Sequence, residues 1–217
     1  MSTDAPPTVT ASAEHLPPAA RPRPVGLVLA VTGAASLALM FVLTLETLAV
    51  LRDPGHIPNC VAGSVFACGR VIDSWQAALM GFPNSLAGLV IFSAVTVLGL
   101  VLAARAAMPA WPVTVVWVLL TVMLGMSSWM MLQQFFVIGG LCTYCTGAWI
   151  LTGPAWWYLT LHLWNRVAAG PAEGSSAGSS AGSSAAVAAA RWHLVPLTVW
   201  FVVWAALFVW AFLNVLA

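Results

Sequence analysis

The chain has 217 residues, of which 61% are hydrophobic and only 6% charged. A soluble fold of this length must show water far more polar surface, so the composition places the chain in a bilayer. A net charge of +1 offers no basic field for nucleic acid. At roughly 20 apolar residues per crossing, about five helices fill the length and leave no room for a separate soluble domain.

Taken in order, the first 24 residues are rich in Pro, Ala, Ser and Thr and contain no apolar run. They bury too little to offset ordering entropy and are expected to be disordered. The apolar stretch that follows is too long for the core of a cleavable signal and reads as a first span, Val25 to Leu51. A charged, turn-rich loop covers residues 52–83. Span two is expected from Ser85 to Ala104, with Asn84 placed after Pro83 to cap its first turn. A short turn from Arg105 to Ala110 leads to span three, Trp111 to Val137, which Gly139 and Gly140 break. Span four is expected from Leu141 to Trp164, and span five from Trp192 to Leu216. Residues 168–191 join them as a linker in which Gly174 to Ala185 repeats Gly-Ser-Ser-Ala three times. Such composition makes a flexible tether, whether as natural low complexity or as an engineered insertion.

All seven cationic side chains are arginine. In the five-span arrangement Arg21, Arg23, Arg105, Arg166 and Arg191 fall on one side, and only Arg52 and Arg70 fall on the other. The positive-inside rule then makes the amino terminus cytoplasmic, with the 52–83 loop and the junction of spans three and four facing outward. Trp111, Trp164 and Trp192 lie near span ends, where interfacial aromatics belong. The absence of lysine and the wealth of Ala, Gly, Pro and Val suggest a GC-rich genome, such as an actinobacterial one.

The four cysteines are Cys60 and Cys68 in the outer loop, and Cys142 and Cys145 as Cys-Thr-Tyr-Cys at the head of span four. The arginines alone place all four on one face. Outside the cytoplasm thiols tend to oxidise, so one reading is a pair of structural disulfides in a non-catalytic membrane scaffold. Against it, a Cys-X-X-Cys at a helix start has its thiolate stabilised by the helix terminus and closes a small, readily exchanged ring. A zinc site wants two close pairs, and the Cys60 to Cys68 spacing is too wide. Two pairs on one face also have a redox use, because disulfide exchange moves two electrons through a mixed disulfide without a metal.

From span one through span four the chain resembles the bacterial homologues of vitamin K epoxide reductase. Cys60 and Cys68 stand like that family's loop pair, and Ser74 follows at the family's spacing. Gly81-Phe82-Pro83-Asn84 resembles its turn into span two, and Cys142-Thr-Tyr-Cys145 matches its active motif. The resemblance implies an all-α integral membrane protein: a four-helix bundle over residues 25–167 around a quinone, capped by the 52–83 loop, with an accessory fifth helix over 192–217. It implies a thiol:quinone oxidoreductase of the bacterial plasma membrane. Such an enzyme reoxidises a thioredoxin-like or DsbA-like extracytoplasmic partner and so supports disulfide formation in exported proteins. Quinone or vitamin K epoxide reduction for its own sake is the alternative. Menaquinone is the expected acceptor, with ubiquinone and vitamin K as alternatives.

Carried over residue by residue, the resemblance has Cys60 meet the external dithiol and Cys68 exchange with Cys142, while Cys145 faces the quinone. Asn84 would bond a quinone carbonyl, Ser74 would serve the same pocket unless it only caps a short helix over Trp75–Met80, and Phe66, Trp75, Phe82, Leu86 and Trp149 would supply apolar walls. One departure stands out. Animal members carry a tyrosine four residues after the last cysteine, where this chain has Trp149, which puts the head-group contact and coumarin sensitivity in question.

Glu46 is the one carboxylate well inside an expected span. Its alternatives are snorkelling outward, pairing with Arg52, or handling protons. His56 and Arg70 flank the loop cysteines, as solvated residues or as cations that favour a thiolate.

Overall fold

A computed structural model describes residues 22–60, 66–106, 108–168, 192 and 194–213. The amino-terminal segment before Pro22 and linker residues 169–191 lie outside the described residues. Helix α1 spans Pro22–Arg52. A short helix α2, Cys68–Ile72, and a tight 3-10 turn, Trp75–Ala78, precede α3, Asn84–Ala103. Helix α4, Ala110–Gln133, continues into a single π turn, Gln134–Ile138. Helix α5 covers Thr143–Ala168, and α6 covers Leu194–Ala211. The protein is an all-α integral membrane protein, and the five long helices stand within a few residues of the expected spans.

Four of these helices are long and apolar enough to cross a membrane: Arg23–Arg52, Asn84–Ala103, Ala110–Ile138 and Leu194–Ala211. Helix α5 has 26 residues but a lower hydropathy, because it carries Thr152, Thr160, His162 and Asn165. Its polar groups bond within the bundle. Thr152 and Asn165 donate to the carbonyls of Ala148 and Leu161 at 2.8 and 2.7 Å, and Thr160 accepts the Trp117 indole N–H at 2.8 Å. In an apolar surround each polar group must find such a partner, so α5 belongs to the bundle interior.

The half of the bundle remote from the cysteines closes on itself. Val25 and Leu29 of α1, Val95 and Leu98 of α3, Val113 and Leu120 of α4 and Leu159 of α5 make one buried core. Helices α1 and α3 meet backbone to backbone there. A Cβ on Gly26 would stand 2.7 Å from the Gly99 carbonyl oxygen, and one on Gly99 would stand 2.8 Å from Ala30 Cα. Small residues let membrane helices approach this closely and gain packing that lipid does not supply. At the other end Met40, Leu43, Phe92 and Ala148 pack with the cysteines.

Three local expectations are corrected. Pro83, not Asn84, takes the position before α3, and no side chain caps it. Asn84 is already helical, and its amide donates to the Gln76 carbonyl at 2.7 Å. The expected short helix over Trp75–Met80 is a 3-10 turn ending at Ala78. Ser74 holds the cap position, but its hydroxyl donates back to the Val71 carbonyl at 2.7 Å instead of accepting from the turn. Glu46 pairs not with Arg52 but with the loop, accepting from Asn59 at 2.7 Å and meeting His56 Nε2 at 3.0 Å. Arg52 lies six residues on, about 120° round the helix from Glu46, so the two do not share a face.

Candidate redox site

The site forms where the loop after α1 folds down onto the turn between α4 and α5. Gly139 ends the π turn at φ 66°, a left-handed conformation that favours glycine. Gly140 follows, and a Cβ there would press on Ala67 at 3.3 Å. Against this thin turn the loop makes an isolated parallel bridge between Phe66 and Leu141, with the Ala67 N–H donating to the Leu141 carbonyl at 3.0 Å. Arg70 completes the seam, its Nη1 donating to the Gly139 carbonyl at 2.8 Å. That guanidinium therefore fastens the loop to the turn immediately before Cys142.

This seam gathers the cysteines. Cys60 and Cys68 are joined by a disulfide with Cα atoms 5.8 Å apart, and both are buried. Cys68 and Cys142 are fully buried members of one packed cluster, and Cys145 packs against it. Cys142 and Cys145 are free thiols. Cys142 stands one residue before α5, and the Cys145 N–H in the first turn donates to its Sγ at 3.4 Å. The backbone N–H of Cys142 is in turn held by Gln134 Oε1 at 2.7 Å. On the far side of the loop, the Glu46 carboxylate grips Asn59, the residue before Cys60.

Beside the cysteines lies a cavity of about 730 Å³, enclosed by α1, the α2–α3 connection, the start of α3, the end of α4 and the start of α5. Its volume suits a small-molecule head group. Cys145, Ser74, Trp75, Phe82, Asn84 and Trp149 all line it. Phe66 and Leu86 do not. Phe66 packs against the cluster formed by Met131, Phe135, Leu141 and Trp149, and Leu86 is turned outward, 39% exposed. Cys142 is likewise absent from the lining, so of the Cys-X-X-Cys pair only Cys145 reaches the cavity.

The polar atoms on the wall are few. Because the Asn84 amide nitrogen faces a carbonyl, its Oδ1 is left buried without a partner, and so is the hydroxyl of Ser85 beside it. Buried polar groups are almost always paired, and two orphans on one cavity wall fit a ligand carrying oxygen atoms that both accept and donate. The indole N–H of Trp149 donates to Ser128 Oγ at 3.2 Å and is not offered to the cavity. The sequence reading missed Ser85 and Gln134. The same signal that singled out Asn84, an amide inside an apolar segment, was present at Gln134.

A pair of free thiols, one buried and one half-buried, beside a bridged pair, at the end of a helical membrane bundle and next to an apolar cavity, defines a membrane protein of dithiol–disulfide exchange. The sequence model of the vitamin K epoxide reductase family matches residues 27–160, well over half of the chain, and the protein belongs to that family. It is accordingly a multi-pass membrane redox protein that links disulfide chemistry to a quinone, with a thioredoxin-like protein as the family's general partner. No curated protein matches the chain. The matched residues include all four cysteines and end before α6.

Proposed function

We propose that the protein oxidises the dithiol of a thioredoxin-like or DsbA-like extracytoplasmic partner and passes the electrons to menaquinone in a bacterial plasma membrane, with its cysteine end outward and its amino terminus cytoplasmic. The observation that carries this reading is the placement of Cys145 in the cavity wall, while Cys142, three residues away, packs in the same cluster as the loop disulfide. Electrons enter at Cys60, whose bond to Cys68 is broken by the partner's thiolate through a mixed disulfide. Cys68 then exchanges with Cys142, which leaves the loop bridged and the Cys142–Cys145 pair as a dithiol. That is the distribution seen here. In the last step the dithiol closes to a disulfide, and two electrons and two protons pass to the quinone, giving the quinol. The balance needs no metal and no further reductant.

Arg23, Arg105 and Arg166 lie at the end of the bundle opposite the cysteines, which supports the proposed orientation. The chain's own residues also limit side reactions. Cys60, Cys68 and Cys142 are each less than a tenth exposed, so a partner reaches Cys60 only when the loop segment held by Glu46 gives way. The test is Cys145→Ala in membranes supplied with a reduced partner and a quinone. Quinone reduction is expected to fall to background while the melting temperature holds. Unchanged reduction would exclude this electron path.

A further inference from the structure

Besides the start of α3, the cavity has a polar wall residue on the π turn after α4. We propose that Gln134 is a quinone ligand: its amide N–H donates to the quinone oxygen nearer Cys145, while its amide oxygen fixes the backbone of Cys142. The inference rests on the quinone reading above and assigns the residue that holds the head group at the sulfur end.

Gln134 is fully buried and lines the cavity from the π turn. Single π turns are common at functional sites, and this one moves a side chain of α4 toward the cysteines. The orientation of the amide follows from its partner. The Cys142 N–H can only donate, so the atom 2.7 Å from it must be the oxygen. The nitrogen then turns the other way, where its one hydrogen-bond partner is Met131 Sδ at 3.7 Å, itself a wall residue. A thioether is a weak acceptor, and an amide nitrogen carries two hydrogens. A buried amide in a membrane interior is costly in that state.

Most of the competing donors on the wall are already used. Thr47, Ser127 and Thr152 donate to carbonyls of their own helices, Ser74 donates to Val71, and Trp149 donates to Ser128. Away from α3, Gln134 is therefore the fully buried wall side chain with an N–H left for a ligand, while the Trp75 indole, also on the wall, is 67% exposed. The orphaned Ser85 hydroxyl can donate to one end of a quinone, and the Asn84 oxygen can accept from that end of a quinol, while Gln134 meets the other end. Through its oxygen, Gln134 also ties the occupied cavity to the backbone of the exchanging cysteine.

The experiment uses the full chain in detergent with a short-chain naphthoquinone as probe. Binding is read by quenching of tryptophan fluorescence, and reduction of the pre-oxidised Cys142–Cys145 disulfide by a small dithiol is read separately, without quinone, by thiol trapping. Gln134→Met is expected to weaken probe binding about tenfold, the scale of one buried hydrogen bond. Gln134→Glu keeps an oxygen for the Cys142 N–H, but only its protonated form can donate to a carbonyl. Probe affinity of that variant should therefore rise as pH falls, while the parent stays flat over the same range. Probe binding within twofold of the parent in Gln134→Met, with dithiol exchange slowed, would make Gln134 a backbone support alone and overturn the proposal. A pH-independent Gln134→Glu would do the same. Failure of the parent itself to bind the probe would instead overturn the quinone reading.

Discussion

The two ends of the bundle are made of the same kinds of residue and differ in what lies between the helices. At the arginine end, glycines remove the side chains between α1 and α3, and Val, Leu and Ala fill what remains. At the cysteine end, Met40, Leu43 and Phe92 pack together but also border a cavity of about 730 Å³, which the segment between α2 and α3 helps to close. Membrane helices gain little from hydrophobicity when they associate, so tight packing has to be supplied somewhere. Here one end supplies it, and the other is thereby left open for a ligand.

That division predicts substitutions that harm one end and spare the other. The largest effect on chemistry alone is Cys145→Ala, which deletes the sulfur in the cavity wall and leaves the glycine seam untouched. The largest effect on stability is Gly99→Leu. The added side chain would meet the backbone of Leu29 and Ala30, which cannot rotate away. Overpacking of this kind costs about 1–3 kcal/mol, and the backbone obstacle puts it at the upper end of that range. A fall in melting temperature, with activity per folded molecule kept, is the expected result. A Gly99→Leu protein as stable as the parent would mean that the arginine end does not hold the bundle together.

Within the cysteine end, the next contrast separates loop from helix. Cys142→Ser should abolish transfer to quinone from any reductant, whereas Cys60→Ala should block the protein partner yet be rescued by a small dithiol that reaches the inner pair directly. Equal loss in both variants with the small dithiol would argue against a relay. Arg70→Ala tests the seam between them. Losing its bond to the Gly139 carbonyl should loosen the loop by about 1 kcal/mol and slow partner-driven quinone reduction roughly fivefold. The small-dithiol rate should change less, because Gln134 still holds Cys142.

Much of this was legible in the sequence. The spans were plain because apolar runs of that length have no other home, and the arginines placed the cysteines together before any family likeness was invoked. What stayed hidden depended on contacts between elements. Pairing with Arg52 is one of the readings that nearness in sequence allows for Glu46, yet its partners sit on a loop whose fold no local rule specifies. Asn84 looked like a cap because amides favour that position. The helix starts one residue sooner, and the amide is drawn to the Gln76 carbonyl. Gln134 lay inside an apolar run and became a site residue only through a π turn, which periodicity does not announce.

Helix α6 gives the smallest test and the one most specific to this chain, since it lies beyond the family match. It is not inert packing. Trp200 and Trp204 enclose the Trp149 ring at 4.7 and 4.6 Å, and Phe208 meets Phe135 at 4.7 Å, one residue from Gln134. Gly153 makes room, since a Cβ there would strike the Trp200 ring at 2.8 Å. The helix thus braces Trp149 directly and, through Phe135, the π turn that carries Gln134. Trp204→Leu keeps apolar volume but removes an edge-to-face ring contact worth about 1 kcal/mol. The expected outcome is a KM for quinone raised about threefold to fivefold with kcat and the dithiol exchange rate unchanged. If KM stays put while the melting temperature falls, α6 stabilises the bundle without shaping the cavity.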